Sequence, residues 1–178
     1  MDPFVSDIQK IRERARAAMT DGAVTGDYRA NVDEVVRVLN EVLATELVCA
    51  LRYKRHYFMA DGIHSDAVKE EFKQHAVEEE GHADLVANRI RQLNGAPDFS
   101  PQGLASRAHA EYGEGTDLVS MIELDLVAER IAIQTYSEIV RWLGDSDPTT
   151  RRMIEQILEK EEEHADDLAT LIARLPRK

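Results

Sequence analysis

The sequence predicts an all-α protein, a four-helix bundle of two antiparallel hairpins that are joined by a long crossover and preceded by a short helix. Four stretches of roughly 25 to 30 residues carry apolar side chains at every third or fourth position, the period of a helix that faces a core. Capping residues, glycines and prolines divide these stretches into two close pairs. Polar residues at the centres of the four stretches also repeat, so the second pair of helices matches the first.

The composition is that of one compact, acidic domain. A chain of 178 residues can bury a sizeable core, and its formal net charge of −12 disfavours nucleic-acid binding and favours attraction of cations. The single cysteine, Cys49, excludes an intramolecular disulfide and a Cys-x-x-Cys redox site. Because the sequence shows no signal-like start and no apolar run long enough for a membrane span, we expect a cytoplasmic protein without membrane contact.

Residues 1–30 are predicted to form an arm that contains a short amphipathic helix within residues 4–20. Apolar and basic residues alternate there, Ser6 is a candidate cap, and the run 21–26 ends the helix. Contact with DNA is one interpretation of this basic helix, but nearby acidic residues nearly offset its charge. We therefore expect the helix to serve packing or assembly.

Residues 31–178 are predicted to form the bundle, whose first hairpin comprises helix A at 31–60 and helix B at 65–94. Asp61-Gly62 ends helix A, Ser65 is a candidate cap for helix B, and Gly95 ends helix B. The short connection makes the two helices antiparallel neighbours. The inward stripes are Val35, Leu39, Val42, Glu46, Cys49 and Tyr53 in A, and Val68, Phe72, His75, Glu79, His82, Val86, Ile90 and Leu93 in B.

The second hairpin follows a crossover at 95–116, which is predicted to contain a helical turn near 104–109. Helix C begins near Asp117 and ends at Gly144, whereas helix D begins at Pro148 and ends before Pro176. The stripes are Leu118, Ile122, Asp125, Glu129, Ile133, Tyr136, Val140 and Leu143 in C, and Ile154, Ile157, Glu161, His164, Leu168 and Leu171 in D.

The polar residues in these stripes form two related sets. Glu46 precedes Glu79 by 33 residues, Glu129 precedes Glu161 by 32, and a tyrosine follows Glu46 and Glu129 by seven residues in each case. Glu79 and Glu161 each stand three residues before a histidine, so a carboxylate and an imidazole share one helix face in both hairpins. Two such units, each a hairpin away from a buried glutamate, make a specific pattern.

A pair of metal ions best explains this cluster. Core carboxylates are usually paired with a buried arginine or lysine, yet no position of the four stripes is basic. Two divalent cations balance four glutamates, and neutral imidazoles complete the coordination. Lys160 lies four residues before His164, so Glu161 is its partner, and the same spacing selects Glu79 rather than Glu78 for the other histidine.

At these residues the sequence resembles the ferritin-like di-iron superfamily, most closely bacterioferritins and the Dps-like ferritins with a bacterioferritin-type site. The resemblance covers about residues 31–175. It implies a ferritin-like bundle with two irons per chain, manganese being an alternative, in which Glu79 and Glu161 bridge both ions while Glu46 and Glu129 each hold one. The motifs that carry it are Asn40-Glu41, Glu46-Leu47-Val48 with Tyr53, Glu79-x-x-His82, Asp125-Leu126-Val127-Ala128-Glu129 and Glu161-x-x-His164.

Two departures from the family pattern shape the expectations for cofactor and assembly. Bacterioferritins bind haem through a methionine directly after the helix B glutamate, where this sequence has Glu80, so haem is not expected. The sequence ends fourteen residues after His164, without the fifth helix of the 24-subunit cages, so we expect a shell of 12 subunits. Tyr57, Phe58 and Leu51 lie off the main helix A stripe and are candidates for subunit contacts.

Four further residues are candidates for supporting roles. Tyr53 and Tyr136 are expected to hydrogen-bond the ligand carboxylates, with electron donation and plain packing as alternatives. His75 is either an extra ligand, a stop on an iron path, or a hydrogen-bonded core histidine. Asp125 either orients a ligand or is paired near the surface, and Cys49 is expected to be a small buried side chain.

The resemblance implies a ferroxidase that oxidises Fe(II) with O2 or H2O2 for iron storage and protection from oxidative stress. Oxygen and nitrogen ligands suit both iron and manganese, so the metal stays open. One alternative is a rubrerythrin-like or manganese-catalase-like enzyme that removes peroxide at the same six ligands. Another is a non-catalytic shell that sequesters iron or protects DNA.

Overall fold

A computed structural model of the protein describes residues 6–62 and 65–174, and in these residues it contains helices and no strand. None of the described helices is long and apolar enough to cross a membrane. The predicted all-α class is therefore confirmed, and predicted helices A, B, C and D are α2, α3, α5 and α6. The helices are α1 (Ile8–Ala17), α2 (Val32–Met59), α3 (Ser65–Gln92), α4 (Leu104–Arg107), α5 (Leu118–Leu143) and α6 (Pro148–Arg174).

The four long helices pack as two hairpins. Helix α2 packs along α3 and helix α5 along α6, and smaller contacts join α2 to α5 and α3 to α6. On each long helix the buried apolar residues fall into two groups that are separated by polar residues. One apolar cluster includes Leu39, Ile90 and Ile157, and the other includes Phe72 and Ile122. The bundle therefore has two apolar ends and a buried polar centre.

Local signals set most of the helix ends, and two predicted caps are wrong in detail. Asn94 adopts a positive φ of 63°, and the Gly95 N–H then donates to the Ile90 carbonyl at 2.9 Å, which ends α3. Asp7 rather than Ser6 caps α1, because its carboxylate accepts from the backbone N–H of Lys10 at 3.1 Å. Ser65 is the first residue of α3, and its hydroxyl donates to the Gly62 carbonyl at 2.8 Å.

The N-terminal arm is fastened to one end of the bundle. Helix α1 has no buried residue, whereas Tyr28 packs on the apolar cluster of Leu39 and donates its hydroxyl to Asp147 Oδ2 at 2.6 Å. Asp147 also accepts from Arg89 Nη2 at 3.0 Å, so the arm, α3 and the start of α6 meet at one carboxylate. Residues 4 and 5 of the predicted arm helix and Pro176 lie outside the described residues.

The crossover runs alongside α2 and carries the predicted helical turn, α4. Its backbone is held by side chains of α2. Thr45 Oγ1 accepts from the His109 N–H at 2.9 Å, Arg52 Nη1 donates to the Glu111 carbonyl at 3.0 Å, and His56 Nε2 donates to the Gly113 carbonyl at 3.1 Å. The long connection is thus anchored beside the polar centre.

Candidate metal centre

Six side chains that the sequence singles out come together in the centre of the bundle, with each long helix contributing at least one. They form two overlapping groups, and within each group the potential ligand atoms lie within 4.8 Å of one another. Glu79 and Glu161 belong to both groups, as expected for carboxylates that face two ions. The first group is Glu46, Glu79, His82 and Glu161, and the second is Glu79, Glu129, Glu161 and His164.

Distances within the cluster explain this grouping. His82 Nδ1 lies 3.1 Å from Glu46 Oε2, 3.0 Å from Glu161 Oε1 and 3.6 Å from Glu79 Oε2. His164 Nδ1 lies 3.4 Å from Glu79 Oε1 and 3.8 Å from Glu161 Oε2. Each imidazole therefore faces the shared pair of carboxylates.

The cluster is buried and leaves polar atoms without hydrogen-bond partners, which is the fit expected of a metal centre. The four glutamates are each at most 1% exposed and His82 is 7% exposed. Buried polar atoms are nearly always hydrogen-bonded in folded proteins. Yet four atoms of the cluster make no hydrogen bond to any described residue: Glu79 Oε1, Glu129 Oε2, Glu161 Oε1 and His164 Nδ1. Divalent cations would bind these oxygen and nitrogen atoms directly.

The cluster has strongly perturbed protonation. Burial and the neighbouring carboxylates of Glu161 and Glu79 raise the pKa values of Glu46 and Glu129 well above the ordinary range. Burial opposes protonation of His164, but contacts with Glu161 and Glu79 raise its pKa to about 10. Protons thus partly balance the carboxylates in the absence of cations, and cation binding would displace them.

Two tyrosines hydrogen-bond Glu46 and Glu129, each of which belongs to only one of the two groups. The Tyr53 hydroxyl donates to Glu129 Oε1, and the Tyr136 hydroxyl donates to Glu46 Oε1. Each bond crosses from one hairpin to the other, and the two bonds are equivalent under the sequence repeat. Burial raises the pKa of both phenols, so they stay neutral donors. The contacts agree with the predicted hydrogen bonds to ligand carboxylates.

Glu78 has a role that the sequence did not indicate. Its Oε2 atom lies 2.7 Å from His164 Nε2 and accepts a hydrogen bond from the ring. A carboxylate on the remote nitrogen fixes the orientation of an imidazole and leaves the other nitrogen for a metal. The contact joins α3 to α6, 86 residues apart, so spacing along one helix does not reveal it.

Asp125 lies apart from the cluster and is paired in the core rather than near the surface. Its Oδ1 atom accepts from Arg52 Nε at 2.7 Å, and its Oδ2 atom lies 2.8 Å from His56 Nδ1. All three side chains are buried. Arg52 is therefore a buried base that the sequence did not reveal, because it stands beside the helix A stripe rather than on it. The same arginine holds the crossover, so this group positions the connection.

His75 and Cys49 are both buried near the cluster. The His75 ring stacks on His164 with the ring centroids 3.9 Å apart, and neither of its nitrogens hydrogen-bonds a described residue. This differs from the predicted hydrogen-bonded histidine. Burial, with a contribution from His164, lowers the pKa of His75 to about 4, so its ring is neutral at pH 7. Cys49 is the small buried side chain that the sequence predicts.

The ferritin-like domain family matches residues 36–178 of the chain. The bacterioferritin of Mycobacterium avium is 32% identical over 138 residues, which are 77% of this chain and 82% of that protein. The nutrient stress-induced DNA-binding protein of Nostoc sp. is 32% identical over 146 residues, which are 79% of this chain and 78% of that protein.

A solved structure shows the same relationship. The bacterioferritin-related protein of Bacteroides fragilis, described as a dodecameric thioferritin, is 30% identical and superposes with a TM-score of 0.78. The match covers 93% of this chain and 95% of that one. The chain therefore belongs to the ferritin family, among its bacterioferritin-related members.

Proposed function

We propose that the protein is a ferroxidase, which oxidises Fe(II) with O2 or H2O2 for iron storage and protection from oxidative stress. The observation that carries the proposal is the pair of overlapping four-residue groups in the buried core, which share Glu79 and Glu161. Two divalent cations match the charge of four glutamates, and oxygen and nitrogen donors suit Fe(II). The bacterioferritin-related relatives support the same function.

Each residue has a distinct part in this function. Glu46 and His82 would hold one Fe(II), Glu129 and His164 the other, and Glu79 and Glu161 would face both. Two Fe(II) ions together supply two electrons, which with two protons reduce O2 to H2O2, or H2O2 to two water molecules. Tyr53 and Tyr136 hold the carboxylates in place, and Glu78 keeps His164 in the orientation that binds metal.

Removal of one ligand tests the assignment. Glu129→Ala is expected to abolish rapid Fe(II) oxidation, followed by the absorbance of Fe(III), while circular dichroism shows an unchanged helix content. Glu123→Ala, an exposed change on the same helix, is the matched control and should oxidise Fe(II) normally. Unchanged oxidation kinetics in Glu129→Ala would reject the site.

Peroxide removal at a manganese pair is a second candidate, because the set of oxygen and nitrogen donors suits Mn(II) equally well. The two functions separate in one comparison. Protein loaded with iron or with manganese is supplied with O2 or with H2O2, and turnover is measured. We expect Fe(II) oxidation to dominate, whereas steady H2O2 removal by the manganese form would favour the alternative.

We also propose that the protein works without haem. Glu80 stands where the bacterioferritin resemblance needs a methionine, and it is exposed and paired with Lys54. An absorption spectrum of the purified protein tests this, since a strong Soret band with bis-methionine character would show that another residue binds haem.

A further inference from the structure

A second, smaller cluster of candidate ligands lies beside the metal centre, on the side of His164. It consists of Glu71 and His75 from α3 and Asp167 from α6, which we call the flanking cluster. His75 Nε2 lies 3.2 Å from Glu71 Oε1 and 4.0 Å from Asp167 Oδ2, and the three candidate ligand atoms lie within 4.8 Å of one another. The side chains of Glu71 and Asp167 are 29% and 46% exposed, so the cluster opens to solvent.

The histidine of the flanking cluster lacks the partners that a buried imidazole normally has. The His75 side chain is 1% exposed, yet neither ring nitrogen makes a hydrogen bond to a described residue. Buried polar groups are nearly always hydrogen-bonded in folded proteins, so an unsatisfied imidazole calls for a ligand or another role. Of the two ring nitrogens, Nε2 is the one that lies near both carboxylates, 3.2 Å from Glu71 Oε1 and 4.0 Å from Asp167 Oδ2.

The two carboxylates also lack basic partners. No described lysine or arginine forms an ion pair with Glu71 or Asp167, although exposed neighbours such as Glu70 and Glu163 each pair with a lysine. The ligand atoms of Glu71 and Asp167 lie within 4.8 Å of each other, and burial together with the Asp167 carboxylate raises the pKa of Glu71. A cation would relieve this repulsion and satisfy His75 at the same time.

The flanking cluster has no counterpart at the equivalent positions of the other hairpin. An offset of 82 residues relates Glu79 to Glu161 and His82 to His164. The same offset relates the three flanking residues to apolar ones in the other hairpin, so the bundle is built equally well without them. The pairs are Glu71 with Met153, His75 with Ile157, and Asp167 with Leu85.

We propose that Glu71, His75 and Asp167 form a third divalent-cation site, present on one side of the metal centre only, which supplies Fe(II) to that centre. The site and the centre are adjacent, because His75 stacks on His164 and ring nitrogens of both lie within 4.8 Å of a Glu78 oxygen. The cation site itself depends only on the residues of the flanking cluster. Its role as a supplier of Fe(II) rests on the proposed ferroxidase function.

Counting bound Co(II) under anaerobic conditions tests the site without any turnover. Equilibrium dialysis followed by metal analysis should give three Co(II) per chain for the unaltered protein and two for Glu71→Gln/Asp167→Asn. The matched control Glu70→Gln/Asp166→Asn removes the same charges from exposed neighbours on the same helices and should keep three. Equal counts in the unaltered protein and the first double variant would overturn the proposal.

A second variant guards against indirect effects of the charge change. His75→Ile introduces the residue found at the equivalent position of the other hairpin and should also lose one Co(II) while retaining two. The difference between unaltered protein and double variant reports the flanking site, and the count that remains in the double variant reports the main centre. If the unaltered protein binds one ion more than the double variant, but the double variant binds fewer than two ions, the dinuclear centre is rejected and the flanking site is not.

Kinetics then test the supply role. At Fe(II) concentrations below saturation, the double variant is expected to oxidise Fe(II) several-fold more slowly than the charge-matched control, and the two rates should converge at high Fe(II). Identical rates across the whole range would overturn the supply role.

Discussion

Replacement of Glu129 by glutamine is expected to stabilise the protein without metal and to weaken its stabilisation by metal. Glu129 is fully buried, its Oε1 atom accepts from Tyr53, and its Oε2 atom has no hydrogen bond to a described residue. Glutamine can still accept from Tyr53 at its carbonyl oxygen, and its amide can donate to the neighbouring carboxylate of Glu161. Because burial and the neighbouring carboxylates raise the pKa of Glu129, the metal-free protein must either bind a proton at this group or keep a buried charge, and glutamine avoids both without leaving a gap.

The size of both effects follows from the structure. Satisfying one buried, unpaired oxygen and removing its charge is worth about 1–3 kcal/mol. For a chain of this size each kcal/mol shifts the melting temperature by about 2–4 °C, so the metal-free variant should melt roughly 2–12 °C higher. Each bound cation at one hundred times its Kd adds about 2.7 kcal/mol, so two ions add about 10–20 °C to the unaltered protein. Loss of a ligand should remove at least half of that shift.

Thermal melts with a chelator and with excess Zn(II) measure both quantities. Glu123→Gln, an exposed change on the same helix, is the control and should alter neither value. A lower melting temperature of metal-free Glu129→Gln would refute the reasoning about the buried charge. A full metal-induced shift in that variant would refute the role of Glu129 as a ligand.

Three further predictions concern the rest of the molecule. Arg52→Met leaves Asp125 buried without its arginine and should lower the free energy of unfolding, measured in urea, by about 3–5 kcal/mol. Adding Asp125→Asn should recover part of this loss. A loss below about 1 kcal/mol in Arg52→Met would contradict the prediction. Despite burial, hydrogen bonds from Thr150 and Tyr28 hold the pKa of Asp147 below its ordinary value of 3.8. The ionised Asp147 therefore stabilises the fold fully above pH 3.8, and this stabilisation is lost as the pH falls through the lower pKa of the folded state. The difference in unfolding free energy between the unaltered protein and Asp147→Asn should shrink from about pH 4 downwards. A difference that stays constant with pH would argue against this linkage. Light scattering should give about 240 kDa, twelve times 20.1 kDa, with exposed apolar side chains such as Phe58 covered by subunit contacts, whereas a persistent dimer would exclude a shell.

Much of the fold and the grouping of the six central residues were predictable from the sequence alone. Helical period is a local property, so the stripes of α2, α3, α5 and α6 could be read directly, and Asp61-Gly62, Gly95 and Gly144 marked the ends of α2, α3 and α5. The internal repeat added long-range information, because it pairs the centres of two hairpins that lie far apart along the chain. The structure brings those six side chains together.

The contacts around the centre depended on the tertiary structure. A period shows which way a residue faces on its own helix, but not which residue of another helix it meets. Glu78 and His164 meet across the bundle, Tyr28 reaches Asp147 from the arm, and Arg52 stands beside its stripe yet is buried because its long side chain reaches Asp125. The flanking cluster around His75 has the same origin, since Asp167 joins it only through the packing of α6 on α3, which no spacing along either helix specifies.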